Sequence, residues 1–259
     1  MKFDELEAKL RAFEKARDPS ALPGLFLVAR IDGRSFTRFT GEVMAFERPF
    51  DERFRDCMVA TVHHLMQCGF RVEFGYTQSD EISLFCHLGE DAFGRNIRKW
   101  TSILAGEASA AFSIAVGRAA AFDCRIIELP TLDLVVDYAR WRHEDAHRNA
   151  LNGWSYWTLR GDGLGVKEAT DRLERSSVAE KNELLFGHGI NFNNLPKWQR
   201  RGIGVVWEEY ETEGVDPRSG SSVMAARRRL TSRFELEMGD DYASFVRGLL
   251  GNGSSVNPG

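Results

Sequence analysis

Residues 71–88 read R-V-E-F-G-Y-T-Q-S-D-E-I-S-L-F-C-H-L, two apolar runs joined by a short polar segment. The runs 71–77 and 82–88 have the length and composition of buried strands. The polar residues 78–81 between them, Q-S-D-E, are typical of a hairpin turn. The sequence therefore predicts an antiparallel hairpin with Asp80 in its turn.

The segments on either side of this hairpin extend it to a known topology. Upstream, residues 25–31 (L-F-L-V-A-R-I) resemble a strand, and residues 50–68 carry apolar side chains at helical spacing. Downstream, residues 93–116 have a helical composition, and residues 125–129 form another short apolar run. This order predicts an α+β fold, the ferredoxin-like βαββαβ unit of a polymerase palm, with an antiparallel sheet and additional helices.

This topology brings together two carboxylates that are far apart in sequence. Asp32 ends the first strand, Asp80 begins the third, and these two strands are neighbours in the sheet. Either residue alone is more simply a turn residue, but together they favour a metal site. Mg²⁺ prefers hard oxygen ligands and completes its shell with phosphates and water. Gly33 would let the backbone approach a ligand closely.

Groups near the two aspartates are candidates for binding a triphosphate. Ser79 precedes Asp80 and is a hydrogen-bond donor. Basic residues that we expect to neutralise phosphate charge are Arg34, Arg48, Arg95, Arg98 and Lys99. The last three lie near the start of a predicted helix, a position that favours anions.

The rest of the chain gives weaker signals. Helices are predicted over 2–17, 132–150, 165–186 and 223–250, a strand over 203–207, and a loop over 212–222. We expect four regions: a palm-like catalytic region (1–130), a helical region packed on the palm (131–212), a C-terminal helical segment (213–250) and a disordered tail (251–259).

Composition limits the partners and the location. The 259 residues carry a net charge of −4, so an RNA partner would have to bind to local basic patches. The four cysteines form no C-x-x-C pair, which argues against a structural zinc site. No apolar run is long enough to cross a bilayer, and the N-terminus alternates charges, so we expect a cytoplasmic protein.

A second motif competes with the magnesium site. The run from His143 to His147, H-E-D-A-H, matches the H-E-x-x-H signature of zinc metalloproteases. The extended signature with a glycine and a third histidine is absent, since Ala150 and Gly153 occupy those places. A zinc protease is therefore the weaker hypothesis.

Four motifs occur in order along the chain: R-I-D-G-R-S-F-T-R-F (30–39), Q-S-D-E-I-S (78–83), D-Y-x-x-W-R-x-x-D-x-H-x-N (137–149) and E-K-N-E-L-L-F-G-H-G-I-N-F-N-N (180–194). Together they resemble the tRNA-histidine guanylyltransferase family, which includes related 3′–5′ polymerases that repair RNA 5′ ends. The resemblance implies that the last two motifs give the helical region 131–212 its nucleotide- and tRNA-binding residues. The resemblance implies an enzyme that adds a nucleotide, usually GMP, to the 5′ end of a tRNA. By this resemblance, a 5′-monophosphate would first be activated with ATP or GTP, the 3′-hydroxyl of an incoming GTP would then attack, and pyrophosphate would leave.

The resemblance also implies roles for individual residues. The ligands of two Mg²⁺ ions fall on Asp32, Asp80 and the carbonyl of Gly33. The implied catalytic residues are Asp32, Asp80, Glu81 and His147. The implied nucleotide-binding residues are Asp32, Gly33, Arg34, Ser35, Phe36, Thr37, Arg48, Ser79, Asp80, Arg95, Lys99, Asn149, Lys181, Asn182 and Asn193. Arg48 stands where the family has an activation-step lysine.

One departure from the family concerns RNA selection. After His147 the chain reads R-N-A-L-N, where the eukaryotic enzymes typically read I-N-N-L-Y-N. Strict selection of histidine tRNA is therefore not expected. The resemblance further implies a tetramer built from dimers. A nucleotidyl cyclase with the same palm and metal pair is a third hypothesis, which incubation with GTP alone would test.

Overall fold

A computed structural model of the chain describes residues 2–215 and 222–251. Its centre is an antiparallel sheet of six strands in the order β4-β1-β3-β2-β5-β6. The strands are β1 Phe26–Gly33, β2 Val72–Gln78, β3 Glu81–Cys86, β4 Phe122–Leu129, β5 Ile203–Val215 and β6 Ser222–Arg233. β1 and β3 are neighbours, which confirms the predicted α+β palm.

Helices cover both faces of this sheet. They are α1 Phe3–Lys15, α2 Phe36–Arg38, α3 Glu52–Leu65, α4 Ile97–Val116, α5 Leu132–Gly161, α6 Val166–Glu174, α7 Val178–Gly187, α8 Lys197–Arg201 and α9 Gly239–Gly251. No helix among the described residues is both long and apolar enough to span a membrane.

The first core lies between the sheet and the pair α3 and α4. Side chains alternate along β1, so Leu27, Ala29 and Ile31 face this pair and are 0–2% exposed. Asp51 begins α3 by accepting hydrogen bonds from the backbone amides of Arg53 (2.8 Å) and Phe54 (3.4 Å). The two predicted helices therefore lie on one face, as a ferredoxin-like unit requires.

The second core lies on the opposite face, under α5 and α9. Val28 of β1 packs there with Val135 and Ala139 of α5 and with Tyr242 and Val246 of α9. This face is the one toward which Arg30 and Asp32 point, because they alternate with Leu27, Ala29 and Ile31. α5 thus lies over the predicted site.

Three predicted segments differ from the structure. The predicted helix 165–186 is two helices, because the chain leaves helical geometry after Glu174 and Ser177 caps α7 with a bond to the amide of Glu180. Residues 212–215 are strand and not loop, while 216–221 lie outside the described residues.

The predicted helix 223–250 is the largest error. Its first half is β6, and only α9 is helical. The arginine-rich run 227–229 has good helix propensity, but pairing with β5 overrides it. Arg228 also lies over Trp207 (5.2 Å) and Arg229 over Tyr210 (5.4 Å).

The predicted four-region division remains a prediction, although β5 and β6 extend the palm sheet itself. The predicted disordered tail lies, from residue 252 onward, outside the described residues.

Candidate active site

Strand pairing and a backbone hydrogen bond join the end of β1 to the turn before β3. Asp32 faces Glu81 in the antiparallel register, and the backbone amide of Gly33 donates to the carbonyl of Asp80 at 3.0 Å. Asp32 and Asp80 therefore lie at the same edge of two neighbouring strands, as the topology predicted.

Asp80 is in an environment that disfavours its charge. Burial of the carboxyl and, to a smaller extent, the nearby Asp32 and Glu81 carboxylates raise the pKa of Asp80 to about 6, while Ser79 donates to Oδ1 at 3.1 Å and opposes the shift. A bound cation would offset this cost directly. The site is therefore electrostatically prepared for a positive ion.

Glu81, in contrast, already has cationic partners. Its Oε2 lies 2.5 Å from Nη2 of Arg30 and 3.3 Å from Nη1 of Arg142. Burial raises the pKa of Glu81, and both guanidiniums oppose that shift. Because two guanidiniums contact its carboxylate, Glu81 is placed to hold the neighbouring strands and α5 in position; its predicted catalytic role stays a prediction.

The donor set fits Mg²⁺. Asp32 and Asp80 provide carboxylate oxygens and Gly33 a carbonyl oxygen, the hard ligands that this ion prefers. Within residues 2–215 and 222–251, no three His, Cys, Asp or Glu side chains converge into a metal-binding group.

The structure gives Gly33 a packing role that differs from the expected close approach of the backbone to a ligand. A Cβ at Gly33 would lie 2.5 Å from the ring of Phe36, so the glycine makes room for that side chain. Phe36 is 3% exposed and packs against Phe112 and Phe122, with ring centroids 5.2 and 4.9 Å away. The predicted nucleotide contact of Phe36 is therefore limited to its backbone.

The loop around Phe36 presents polar groups beside the aspartates. Arg34, Ser35 and Thr37 are exposed, and Ser35 (φ 61°) and Ser79 (φ 49°) both adopt left-handed conformations, which non-glycine residues rarely do. Such strain is common where a loop is shaped for a ligand.

Arg48 joins this loop to a pocket. Its Nη2 lies 3.4 Å from the carbonyl of Thr37, and its guanidinium lies 5.3 Å from the ring of Trp157. A pocket of about 100 Å³ begins here, and Arg48, Asp51, Ser79 and Trp198 are among its lining residues. The structure thus places Arg48 and Ser79 together, next to Asp80.

Comparison with known proteins identifies this arrangement. A family model described as tRNAHis guanylyltransferase matches residues 7–130, and one described as Thg1 C terminal domain matches residues 133–239. The chain belongs to the tRNAHis guanylyltransferase family.

Individual relatives agree with this assignment. A probable tRNA(His) guanylyltransferase of Drosophila melanogaster is 34% identical over 203 residues, 74% of this chain and 70% of that protein. The tRNA(His) guanylyltransferase of Debaryomyces hansenii is 32% identical over 215 residues, 77% of this chain and 80% of that protein.

Solved structures show the same fold. A bacterial tRNA(His) guanylyltransferase-like protein in complex with GTP matches with a TM-score of 0.72 and 26% identity, over 95% of this chain and 99% of the other. The enzyme from Saccharomyces cerevisiae matches with a TM-score of 0.71 and 27% identity, over 79% of this chain and 93% of the other. The expected family and the expected enzyme class, a tRNA guanylyltransferase, are confirmed.

Two residues predicted to bind phosphate, Arg95 and Lys99, lie far from Asp32 and Asp80. Arg95 is 6% exposed and donates to the carbonyls of Glu90 (2.8 Å) and Leu25 (2.7 Å). Leu25 precedes the start of β1, about 20 Å along the strand from Asp32. Lys99, in the first turn of α4, lies at the same far end and sits 5.5 Å from the ring of Phe93.

The direction of α4 explains why Arg95 and Lys99 lie far from Asp32. β3 begins beside Asp80 and runs away from it, so the helix that follows β3 must begin at the opposite edge of the sheet. Arg98 lies there too and pairs with Asp18 at 3.1 Å. A helix N-terminus does favour anions, but this one does not face the site.

The predicted residues of the helical region fall into separate places. His147, Asn182 and Asn193 line one pocket of about 320 Å³. Lys181 lines a different one and donates to Oδ1 of Asn152 at 2.9 Å. The structure thus brings His147, Asn182 and Asn193 together in one pocket and leaves Lys181 in another.

Asn149 is not among them. It is exposed, and its Nδ2 donates to Oδ2 of Asp145 at 3.2 Å. Asn149 therefore lies on the solvent-facing side of α5 and lines neither of these two pockets.

The H-E-x-x-H run is a packing feature. His143 is 1% exposed and stacks on Tyr242 with ring centroids 4.0 Å apart, and burial lowers its pKa to about 3. Glu144 pairs with Arg201 at 2.8 Å, and the Arg201 charge also lowers the pKa of both His143 and His147. A guanidinium beside both histidines opposes zinc binding.

Sequence reasoning missed Arg30 and Arg142, the partners of Glu81. Both stand in the quoted family motifs, and Arg30 is two residues before Asp32, hence on the same face of β1. That alternation was a usable signal for Arg30. The pairing with Arg142 depends on how α5 packs and had no local signal.

Proposed function

We propose that this chain adds nucleotides, GMP foremost, to the 5′ end of tRNA in the 3′–5′ direction, using two Mg²⁺ ions held by Asp32, Asp80 and the carbonyl of Gly33. The observation that supports this most directly is the half-buried Asp80 carboxyl beside Asp32, which has a raised pKa and, among the described residues, lacks the arginine partners that Glu81 has. Bound at this site, the ions would supply charge stabilisation at the phosphoryl group.

The chain's own residues then have distinct tasks. Asp32 and Asp80 would hold the ions at the end of two neighbouring strands. Arg34 and Arg48 provide positive charge for the triphosphate, and Ser79 provides a hydrogen-bond donor next to Asp80. Because Ser35 and Ser79 hold left-handed backbone conformations, their amides are fixed before the nucleotide arrives.

The helical region would bind the activating nucleotide and the RNA end. His147, Asn182 and Asn193 share a pocket that Glu183 also lines. Burial lowers the pKa of His147, so its imidazole is neutral at pH 7 and acts as a hydrogen-bonding group and not as a cation. Lys181 provides a positive charge in a separate pocket, and ATP or GTP is the partner of this region.

The proposal also includes a homotetramer of two dimers and a cytoplasmic location, where tRNA and nucleoside triphosphates are available. Neither changes the chemistry assigned to Asp32 and Asp80.

The test uses purified protein with labelled GTP, ATP, Mg²⁺ and a tRNA that lacks its first 5′ nucleotide. We expect a labelled product longer by one nucleotide at its 5′ end, and no product with EDTA. A parallel reaction with GTP alone distinguishes a cyclase, which would form a cyclic nucleotide without RNA. A cyclic product, or a failure to extend the truncated tRNA, would contradict the proposal.

A further inference from the structure

Helix α1 carries an apolar stripe that the described residues leave uncovered. Phe3, Leu6, Leu10 and Phe13 are 75%, 44%, 53% and 75% exposed, and no residue of α1 is buried. Their spacing of three, four and three residues is that of the a and d positions of a coiled coil. Large apolar side chains in such a continuous stripe mark an interaction surface.

Charged residues flank this stripe in a fixed pattern. With Phe3 at position a, Lys9 occupies a g position, and Glu7 and Glu14 occupy e positions. Lys2 stands at the sequence place of the preceding g position, but it is the N-cap residue with extended backbone, and Glu7 also pairs with Arg11 within the helix. One side of the stripe is therefore basic and the other acidic. In a parallel pair of helices the g residues of one face the e residues of the other, whereas in an antiparallel pair like positions face each other.

We propose that α1 pairs in parallel with α1 of a second copy of this chain. Parallel pairing sets Lys2 against Glu7 and Lys9 against Glu14 of the other copy, in both directions across a two-fold axis. Antiparallel pairing would set lysine against lysine and glutamate against glutamate. The charge pattern thus fixes both the partner and the orientation.

A lipid surface fits the helix less well. Residues 2–15 contain four basic and four acidic side chains, namely Lys2, Lys9, Arg11 and Lys15 against Asp4, Glu5, Glu7 and Glu14. Helices that lie on membranes have a strongly basic polar face, which this helix lacks. A second copy of α1, by contrast, complements each charge beside the stripe.

The position of α1 in the fold leaves the active site open. The segment after the helix is fixed to the start of α4 by the Asp18–Arg98 pair (3.1 Å) and by a bond from the amide of Ile97 to the carbonyl of Pro19 (2.9 Å). This is the end of the sheet opposite Asp32. Leu22 (69% exposed) and Phe93 (52%) belong to the same end and add apolar surface to a helix pair that is short on its own.

The first experiment measures the mass of the full chain in solution by light scattering over a wide concentration range. We expect an oligomer, and we expect Leu6→Glu/Leu10→Glu to halve its mass while the protein stays folded by circular dichroism. The control Ala8→Glu/Ala12→Glu puts the same charges on the outward face of α1 and should keep the wild-type mass. A monomeric wild type, or an unchanged mass in the leucine variant, would overturn the proposal.

The second experiment tests orientation by charge. Lys2→Glu/Lys9→Glu makes both flanks acidic, and Glu7→Lys/Glu14→Lys makes both basic, so each should halve the mass if the pair is parallel. The fourfold variant that combines them exchanges the flanks and should restore the wild-type mass. An antiparallel pair already sets like charges together and would not respond to the twofold variants. Since mass is measured and not activity, these outcomes are independent of the proposed nucleotide transfer.

Discussion

Arg142 in α5 and Glu81 at the start of β3 form a buried ion pair, with Nη1 3.3 Å from Oε2. Arg30 of β1 contacts the same carboxylate at 2.5 Å and lies 3.9 Å from Asp32. Glu81 therefore joins two strands and the long helix directly beside the proposed metal ligands. Arg30 therefore pairs more closely with Glu81 than with Asp32.

Replacing Glu81 by glutamine should destabilise the fold. Two guanidiniums would lose a carboxylate partner in a buried place, for which a cost of about 3 kcal/mol in the free energy of unfolding is typical. Urea unfolding of the metal-free protein measures it. The exposed Glu128→Gln, which removes the same charge at the far end of β4, is the control and should change stability by less than about 0.5 kcal/mol. Equal effects of the two substitutions would show that the Glu81 pair contributes little.

Replacing Asp80 by asparagine should abolish nucleotide addition without unfolding the protein. The variant keeps the shape of the side chain but removes a charge that Mg²⁺ needs, so the rate should fall by about two to four orders of magnitude. Folding should not suffer, because burial disfavours the charge of Asp80 in the absence of metal. Single-turnover addition and thermal unfolding are the two measurements. A folded variant with near-normal rates would refute the metal assignment.

Arg34 and Lys99 should differ in their effect on triphosphate binding. Arg34 is exposed in the loop after Asp32, whereas Lys99 lies at the opposite end of the sheet. We expect Arg34→Ala to raise the KM for GTP about tenfold, a loss of about 1.4 kcal/mol, and Lys99→Ala to leave it unchanged. Initial-rate kinetics at saturating tRNA separate the two. A raised KM in the Lys99 variant would mean that α4 approaches the nucleotide after all.

The sequence predicts the placement of Asp32 and Asp80 because few topologies are compatible with its order of strands and helices. It does not predict β6, where local helix propensity and strand pairing give opposite answers and the partner strand decides. The sequence analysis assigns Arg95 and Lys99 to phosphate binding, although the topology already determines that α4 begins at the end of the sheet opposite Asp32. Burial of Phe36 and pairing of Glu81 with Arg142 depend on side-chain packing between distant segments, for which a single sequence has no local signal.

The buried His143 should make the protein sensitive to acid. Its pKa is lowered from 6.5 to about 3 in the folded state, so between these values the unfolded chain binds the extra proton and stability falls as pH falls. The expected slope approaches 1.4 kcal/mol per pH unit below about pH 6. His143→Phe retains an aromatic ring against Tyr242 and should remove this part of the slope, as chemical unfolding at several pH values would show.

The same variant separates the two metal hypotheses. His143→Phe should retain nucleotide addition at neutral pH, since the ring packs against α9 and its neighbour Glu144 is paired with Arg201. A zinc protease would lose its activity with this ligand. Loss of nucleotide addition from a folded His143→Phe protein would show that the histidine acts in the reaction.

Selection among tRNAs should be weak. The palm arranges the triphosphate and the metals, while RNA identity is read by more distant surfaces, and residues 148–152 (R-N-A-L-N) depart from the eukaryotic pattern there. In this run Arg148 and Asn149 are exposed and bind Asp145, whereas Ala150 and Leu151 are buried. We therefore expect extension of 5′-truncated tRNAs of several kinds, directed by pairing with the opposite strand. RNA affinity should fall steeply with salt, because a chain of net charge −4 holds phosphates only through clustered basic residues.

The decisive measurement compares kcat/KM for a full-length histidine tRNA with that for truncated tRNAs of other identities. Values within about tenfold are expected, since a missing selective contact leaves no large difference in transition-state energy. A histidine-tRNA with its anticodon replaced is the matched control and should react like the parent. A preference of about 100-fold for the histidine tRNA, or roughly 2.7 kcal/mol, would show that the altered run does not affect selection and that the enzyme is dedicated to that tRNA.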